Sequence, residues 1–424
     1  MKHKVELVNL KNGAKGLLID VPDAAVTSFD FNFRAGDYLS PKGKWDTAHI
    51  MEHMVLGANK RYKSAIEFSK VYEQNGAYSN ASTGTYHMSY VAECADFETE
   101  RILDLLCLSI EAPLFLSSEF KAEKANVLEE LKSRRNNHGH ELSLAISDAM
   151  GQYELPYTER AKLLSTIELS DVVAHYKKTH TTKNLRFIIG GNLSKIRSKL
   201  LARIEYMELK TGTKRIDLPA EKLRTIKKPI VNKKSDVENL YYRYEVDLGP
   251  LLNVKNLDAL QVLCGLLFGS MHSRVFGKAR EQGLVYGIGY GDYRTKNNSL
   301  FWMAGQVLPS NIEALFELFV YELNDIANGN LPESELESVR LSALGSFKRS
   351  TQTIGQLIDA YSNWFIFDDK VEDYNNIPNR IKEVTVKRVV DAAKLIKNNN
   401  IYGVGFAGAT SGVNAQKLAK ILTD

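Results

Sequence analysis

Two histidines four residues apart, His49 and His53, constrain the fold of this chain more than any other feature of its sequence. An α-helix turns by about 100° per residue, so a helix here would place both imidazoles on one face, within reach of the same ion. Glu52 lies on that face too. Catalytic zinc takes three protein ligands from His and carboxylate side chains and keeps a water in the fourth position. The H-x-x-E-H spacing therefore predicts a zinc helix with His49 and His53 as ligands and Glu52 as the base.

A third ligand has to come from another helix, and the segment 120–131 offers two candidates. Glu123 and Glu130 are seven residues apart, nearly two helical turns, so both would project from the same face. From the residues alone, two other interpretations stay open. The histidines could be solvated on an amphipathic helix, and the glutamates could belong to an ordinary charged helix surface.

The chain resembles the pitrilysin-type inverzincin metallopeptidases, family M16, which contains the mitochondrial processing peptidases and insulin-degrading enzyme. The resemblance covers almost the whole length. In that family a ligating Glu follows H-x-x-E-H at a fixed spacing, with a second Glu seven positions before it, and Glu130 stands at that spacing after His53. The resemblance implies one zinc ion per chain, bound by His49, His53 and Glu130. Glu52 would be the base, and Glu123 would support a ligand from behind.

The segment 75–83 is similar to the family's glycine-rich approach to an N-A-x-T strand. In the family the edge of this strand pairs with the substrate backbone. The resemblance therefore implies that Asn80 and Ala81 bind peptide substrates as an added strand, in which main-chain hydrogen bonds provide affinity. Taken alone, the segment is also typical of a Gly/Ser/Asn turn before a strand.

A second family signature lies in the segment 273–286. Related enzymes have an Arg and, seven residues later, a Tyr that hydrogen-bond the substrate carbonyl and the tetrahedral intermediate. Here Arg280 and Tyr286 are six residues apart. Tyr286 takes the family role more directly, whereas Arg280 is either displaced by a shortened loop or has a different, structural role.

Composition excludes several classes of function. The 55 basic residues are nearly balanced by 51 acidic ones, so we expect no nucleic-acid partner. Three cysteines are too few for a disulfide framework and indicate a reducing compartment. No apolar run is long enough to cross a bilayer, and no secretory or transit signal is visible at the N-terminus. We therefore expect a cytoplasmic protein with no membrane partner.

The spacing of apolar residues and the turn signals between segments predict an α+β protein of two homologous domains. Each domain would be a mostly antiparallel sheet with helices packed on it. We expect a zinc-binding catalytic domain at 1–210, a linker at 211–235 and a substrate-holding domain at 236–424. The halves resemble each other, because 187–190 aligns with 402–405 and 119–131 aligns with 335–347. Extended along the chain, the second alignment places His49 and His53 on Gly265 and Gly269, and Glu130 on Ser346, so the second copy would have no zinc site.

These features predict a zinc metalloendopeptidase that hydrolyses peptides or small unfolded polypeptides. Family enzymes enclose substrate in a chamber built from four homologous domains. Because this chain has two, the resemblance implies a homodimer in which Tyr286 acts across the interface. The alternative is a substrate-binding or structural subunit of a heterodimeric peptidase, with little activity alone. The sequence does not name the substrate, because a closed chamber selects by size, shape and charge.

Overall fold

The computed structural model describes residues 1–398 and 400–423, and in these it contains eleven β-strands and sixteen α-helices. The strands are β1 (Lys4–Asn9), β2 (Lys15–Asp20), β3 (Val26–Phe33), β4 (Tyr78–Thr83), β5 (Met88–Ala95), β6 (Leu185–Gly191), β7 (Ile230–Lys233), β8 (Leu240–Pro250), β9 (Ile288–Arg294), β10 (Asn298–Val307) and β11 (Tyr402–Gly408). The helices of the first half are α1 (Thr47–Val55), α2 (Ala65–Tyr72), α3 (Thr99–Glu111), α4 (Ser117–Arg134), α5 (His138–Met150), α6 (Tyr157–Leu163), α7 (Leu169–Thr179) and α8 (Arg197–Glu205). Those of the second half are α9 (Val254–Phe268), α10 (Phe276–Glu281), α11 (Ile312–Ala327), α12 (Glu333–Arg349), α13 (Ile354–Asp368), α14 (Ile377–Lys382), α15 (Val386–Lys397) and α16 (Ala415–Thr423).

Two sheets organise the chain, and they share one strand order apart from the additional edge strand β1 of the first sheet. The first sheet runs β1-β2-β6-β3-β5-β4, and the second runs β7-β11-β8-β10-β9. In the described residues each sheet has a single parallel pair, β2 with β6 and β7 with β11, and all other pairs are antiparallel. The predicted α+β fold with mostly antiparallel sheets is therefore confirmed.

The chain divides into two compact units, and neither is a continuous half of the sequence. The first unit comprises Met1–Leu131, Glu159–Leu218 and Arg349–Tyr374. The second comprises Lys132–Thr158, Pro219–Lys348 and Asn375–Asp424. This arrangement differs from the predicted division into 1–210 and 236–424. The predicted linker 211–235 is shared between the units, and it includes β7, which pairs with β11.

The difference arises because two equivalent helices are exchanged. Helix α5, from the first half of the chain, packs on β11 and β8 of the second unit. Helix α13, its equivalent in the second half, packs on β6 and β3 of the first unit. Glycines allow both helices to pack closely on the sheets. A Cβ at Gly190 would lie 2.8 Å from Ile354, and one at Gly405 would lie 2.9 Å from Leu142. Each sheet thus buries its second face under a helix from the other half of the chain.

Helix α13 explains why β3 is buried on both faces. Phe29, Phe31 and Phe33 form the apolar face of the strand, and the alternating polar residues suggest that the other face is exposed. In the structure Asp30 and Asn32 are buried as well, because α13 covers that face. The second unit has an apolar core of its own between the sheet β7–β11 and its helices α9, α11 and α15.

The three cysteines are buried and form no disulfide. Among residues 1–398 and 400–423, no helix combines the length and the apolar character that a bilayer crossing requires.

Candidate metal centre

Helix α1 carries the H-x-x-E-H residues and is almost wholly buried. Ile50, Met51, Met54 and Val55 are inaccessible core residues, and the helix packs against β4 and α7. Since these apolar positions anchor one face of this short helix in the core, its opposite face is held in a fixed orientation. His49 lies on that face.

The three predicted ligands converge in the first unit. Nε2 of His49 is 3.3 Å from Oε2 of Glu130, and Nε2 of His53 is 3.7 Å from the same oxygen. One potential ligand atom from each residue lies within 4.8 Å of the other two. In a tetrahedral zinc site with bonds of about 2.0–2.2 Å, neighbouring ligand atoms are about 3.4 Å apart. Two imidazoles and a carboxylate at this spacing fit such an ion. In the part of the chain that the structure describes, this is the only group of its kind.

The second nitrogen of each histidine faces a carboxylate, which fixes the tautomer. Nδ1 of His53 donates to Oε2 of Glu123 over 2.9 Å, and Nδ1 of His49 donates to Oδ1 of Asp46 over 3.2 Å. Because a carboxylate can only accept, each Nδ1 carries a proton, and Nε2, which faces Glu130, is the nitrogen left to bind a metal. The predicted position of Glu123 behind a ligand is thus what the structure has.

Asp46 is a residue of this site that no sequence motif pointed to. This residue precedes α1, and its side chain is fully buried between His49 and Arg160 of α6. An Asp three residues before a histidine on the same helix is the signal that could have found it. Arg160 is 114 residues away in the sequence, and no spacing rule connects the two.

Electrostatics around His49 favour a positive charge at this position. Burial opposes the imidazolium, but hydrogen bonds to Asp46 and Glu130 outweigh burial and raise the pKa of His49 to about 9. Burial likewise opposes the Asp46 carboxylate, but the hydrogen bond from His49 and the charge of Arg160 hold the pKa of Asp46 below its usual value. A bound cation would provide the positive charge that these carboxylates stabilise.

Glu52 is oriented by the neighbouring edge strand. The carboxylate is largely buried, and its Oε2 accepts a hydrogen bond from Oγ1 of Thr83 over 2.6 Å. Thr83 is the last residue of β4, the strand that also carries Asn80 and Ala81. In the described chain β4 pairs only with β5, so its other edge borders no strand. The structure thus brings the predicted base and the predicted substrate strand together.

Arg280 and Tyr286 lie in the second unit, not in the unit that holds the ligands. The guanidinium carbon of Arg280 is 4.5 Å from the centroid of the Tyr286 ring, and Tyr286 is 82% exposed. The structure therefore brings these two residues together with each other. Their predicted role on the substrate stays a prediction.

The second unit has a cavity where the repeat places the metal site. Gly265 and Gly269 at the end of α9, together with Ser346 of α12, line a cavity of about 430 Å³. These are the residues that the alignment of the two halves pairs with His49, His53 and Glu130. The second unit therefore has a cleft at the equivalent place, without counterparts of the three predicted ligands.

Comparisons with known proteins agree with this architecture. The family description "Insulinase (Peptidase family M16)" matches residues 30–158, and "Peptidase M16 inactive domain" matches residues 166–342. An uncharacterised zinc protease of Rickettsia felis is 22% identical over 390 residues, covering 89% of this chain and 93% of the relative. The zinc protease PqqE of Helicobacter pylori is 22% identical over 378 residues, covering 86% and 84%.

Solved structures show the same fold. A protease from Helicobacter pylori superposes with a TM-score of 0.86 at 20% identity, over 96% of this chain and 100% of the other. A peptidase M16 inactive domain from Pseudomonas fluorescens gives 0.82 at 16% identity, over 96% and 98%. The predicted resemblance is confirmed, and the chain belongs to peptidase family M16.

Proposed function

We propose that this chain is a zinc-dependent metalloendopeptidase that hydrolyses peptides or small unfolded polypeptides, with one zinc ion per chain. The observation that carries the proposal is the convergence of His49, His53 and Glu130 beside the buried carboxylate of Glu52. Both full-length relatives described above are named zinc protease, which supports the same class of reaction.

In the proposed reaction Glu52 is the general base and then the general acid. It takes a proton from the attacking water and passes it to the leaving amine. A zinc ion, when bound, supplies a Lewis acid that makes water a good nucleophile near neutral pH and polarises the scissile carbonyl. The hydrogen bond from Thr83 orients Glu52 before substrate arrives. The free edge of β4 would align the substrate backbone at Asn80 and Ala81 as an added strand.

The active form that we propose is a homodimer whose four domains enclose the substrate. Tyr286, with Arg280 beside it, would hydrogen-bond the carbonyl of a substrate bound to the other chain. This part of the proposal rests on the family resemblance, in which four domains form the chamber. Light scattering on the purified chain measures the oligomeric state, and a fully active monomer would contradict it.

A second candidate function is a substrate-binding subunit of a heterodimeric peptidase. Two observations favour it: the match of residues 166–342 to the inactive-domain description, and the contact of Arg280 with Tyr286 that occupies the guanidinium. A chain of this kind would bind zinc yet cleave peptides only after a homologous partner is added.

The experiment that tests the proposal compares the purified chain with Glu52→Gln on a mixed quenched-peptide library, with zinc content determined for both. We expect turnover to fall by about 10²–10⁴-fold while zinc stays bound, because Glu52 is not a ligand. Glu129→Gln is a matched control, since Glu129 is exposed on the helix that provides Glu130. Near-parental cleavage by Glu52→Gln would rule out its role as the base. Zinc bound by a parent that cleaves nothing would favour the second candidate.

A further inference from the structure

A chain of buried polar contacts continues from the metal ligands into the protein interior. His49 donates to Asp46, and Asp46 accepts from Nη2 of Arg160 over 2.5 Å and from its Nε over 3.2 Å. The side chains of His49, Asp46 and Arg160 are 6%, 0% and 9% exposed. Arg160 also lies 3.8 Å from Oδ2 of Asp37. The contacts behind His49 are therefore made without access for solvent.

The position of Asp46 indicates that these contacts are more than a helix cap. Asp46 is the N-cap residue of α1, where an Asp side chain usually accepts from a backbone N–H of the first turn. No such bond is present. The carboxylate of Asp46 instead accepts from the ring of His49, the residue whose backbone N–H a capping side chain would bind. Helix α1 therefore lacks a side-chain cap from Asp46, and the Asp46 carboxylate contacts a proposed metal ligand.

The two histidines are held to different degrees. The partner of His53 is Glu123, which is 26% exposed and also accepts from Asn126. The partner of His49 is fully buried and has a buried guanidinium as its own counterion. A carboxylate that is itself fixed on both sides leaves the imidazole little freedom to rotate.

We propose that Asp46 and Arg160 form a positioning pair that fixes the ring of His49 and thereby sets the metal affinity of this site. The inference rests on the proposed function in one respect, that the site binds a divalent metal. Hydrogen-bond partners of metal-ligating histidines raise ligand basicity and orient the ring, and their loss typically weakens metal binding by about 10–100-fold. Arg160 acts on His49 through Asp46.

The test measures zinc affinity directly, by competition with a chromophoric chelator, on the full chain. The principal variant is Asp46→Leu/Arg160→Met, because replacing both members of this buried ion pair by apolar residues leaves neither of the two charges without the other and commonly preserves the fold. We expect zinc affinity to fall by about 10–100-fold while the thermal midpoint of the zinc-free protein stays close to that of the parent. Lys44→Met is the matched control: it removes the nearby ion pair with Asp171, which contacts no ligand, and should leave zinc affinity unchanged.

A second variant keeps the test informative if the double variant does not fold. Asp46→Asn is isosteric and retains an acceptor for His49 but is a weaker base, so we expect an affinity below that of the parent. We also expect the absorption bands of the cobalt-substituted protein to shift in this variant and not in Lys44→Met, because they report the ligand field. A purely structural pair would lower the thermal midpoint and move neither readout.

Zinc affinity within twofold of the parent in a folded Asp46 variant would overturn the proposal. This outcome is distinct from failure of the proposed function, which is a parent that binds zinc and cleaves no peptide. A parent that binds no zinc would overturn both.

Discussion

The two units of this protein present the same cleft with opposite contents. In the first unit α1 and α4 bring two histidines and a glutamate together beside the edge strand β4. In the second unit α9 and α12 stand beside the edge strand β9, and glycines and a serine line a cavity of about 430 Å³. The same fold thus supports a metal site in one copy and an open pocket in the other. The side chains that line the cleft, and not the architecture, therefore separate a candidate catalytic domain from its repeat.

Converting the first cleft into a copy of the second is the strongest way to test this comparison. We expect His49→Gly/His53→Gly/Glu130→Ser to lose bound zinc and with it peptide cleavage, because no ligand remains. Metal analysis and the peptide assay measure this, and circular dichroism verifies the fold. Gly265→Ala, in the second cleft, is the control and should retain zinc. Zinc retained by the triple variant would mean that the ligands lie elsewhere.

The exchanged helices give a comparison in which the two units should respond alike. Gly190→Val would push a side chain into Ile354 of α13, and Gly405→Val would push one into Leu142 of α5. We expect each to lower the free energy of unfolding by about 1–3 kcal/mol, as overpacking typically does. Hydrogen exchange should localise the loss to the first unit for Gly190→Val and to the second for Gly405→Val.

Gly345→Ala is the matched control for these two substitutions. Gly345 lies on α12 with no heavy atom within 4 Å of an added Cβ, so alanine should be neutral or slightly stabilising. If both valine variants were as stable as the parent, close packing of the exchanged helices would not depend on these glycines.

The last effect that we predict is confined to a range of pH and concerns the polar face of β3 under α13. Burial raises the pKa of Asp30 to about 6, although hydrogen bonds from Ser89 and Asn32 oppose the shift. Because an exposed Asp titrates near 3.9, the folded state binds the proton more tightly. Stability from this group is complete below the unfolded pKa and is lost as pH rises through about 6.

The measurement is urea unfolding of the parent and Asp30→Asn between pH 4 and pH 7. Relative to the variant, the parent should gain about 2–3 kcal/mol of unfolding free energy as pH falls from 7 to 4. No equivalent change is expected for a carboxylate exposed to solvent. A pH-independent difference between the two proteins would show that Asp30 is not a buried, protonatable group.

Much of the candidate site could be predicted from the sequence because its determinants are local. The pairs His49–His53 and Glu123–Glu130 each stand on one helix, so helical periodicity alone places them on common faces. The resemblance to a known family then joined the two helices. Thr83 was within reach of the same reasoning, since it ends the strand predicted to bind substrate, but its bond to Glu52 could be seen only in three dimensions.

The amino-acid sequence alone established the α+β class, and it predicted the metal ligands, the base and a second copy without ligands. Each follows from spacing along one helix, from the family resemblance or from the alignment of the two halves. Three features could be seen only in the folded chain: α5 and α13 each pack in the unit of the other half, both faces of β3 are buried, and Arg160 holds Asp46 behind His49. These features join residues far apart in the chain. Their pairing depends on which surfaces must be buried together, and no local periodicity encodes that choice.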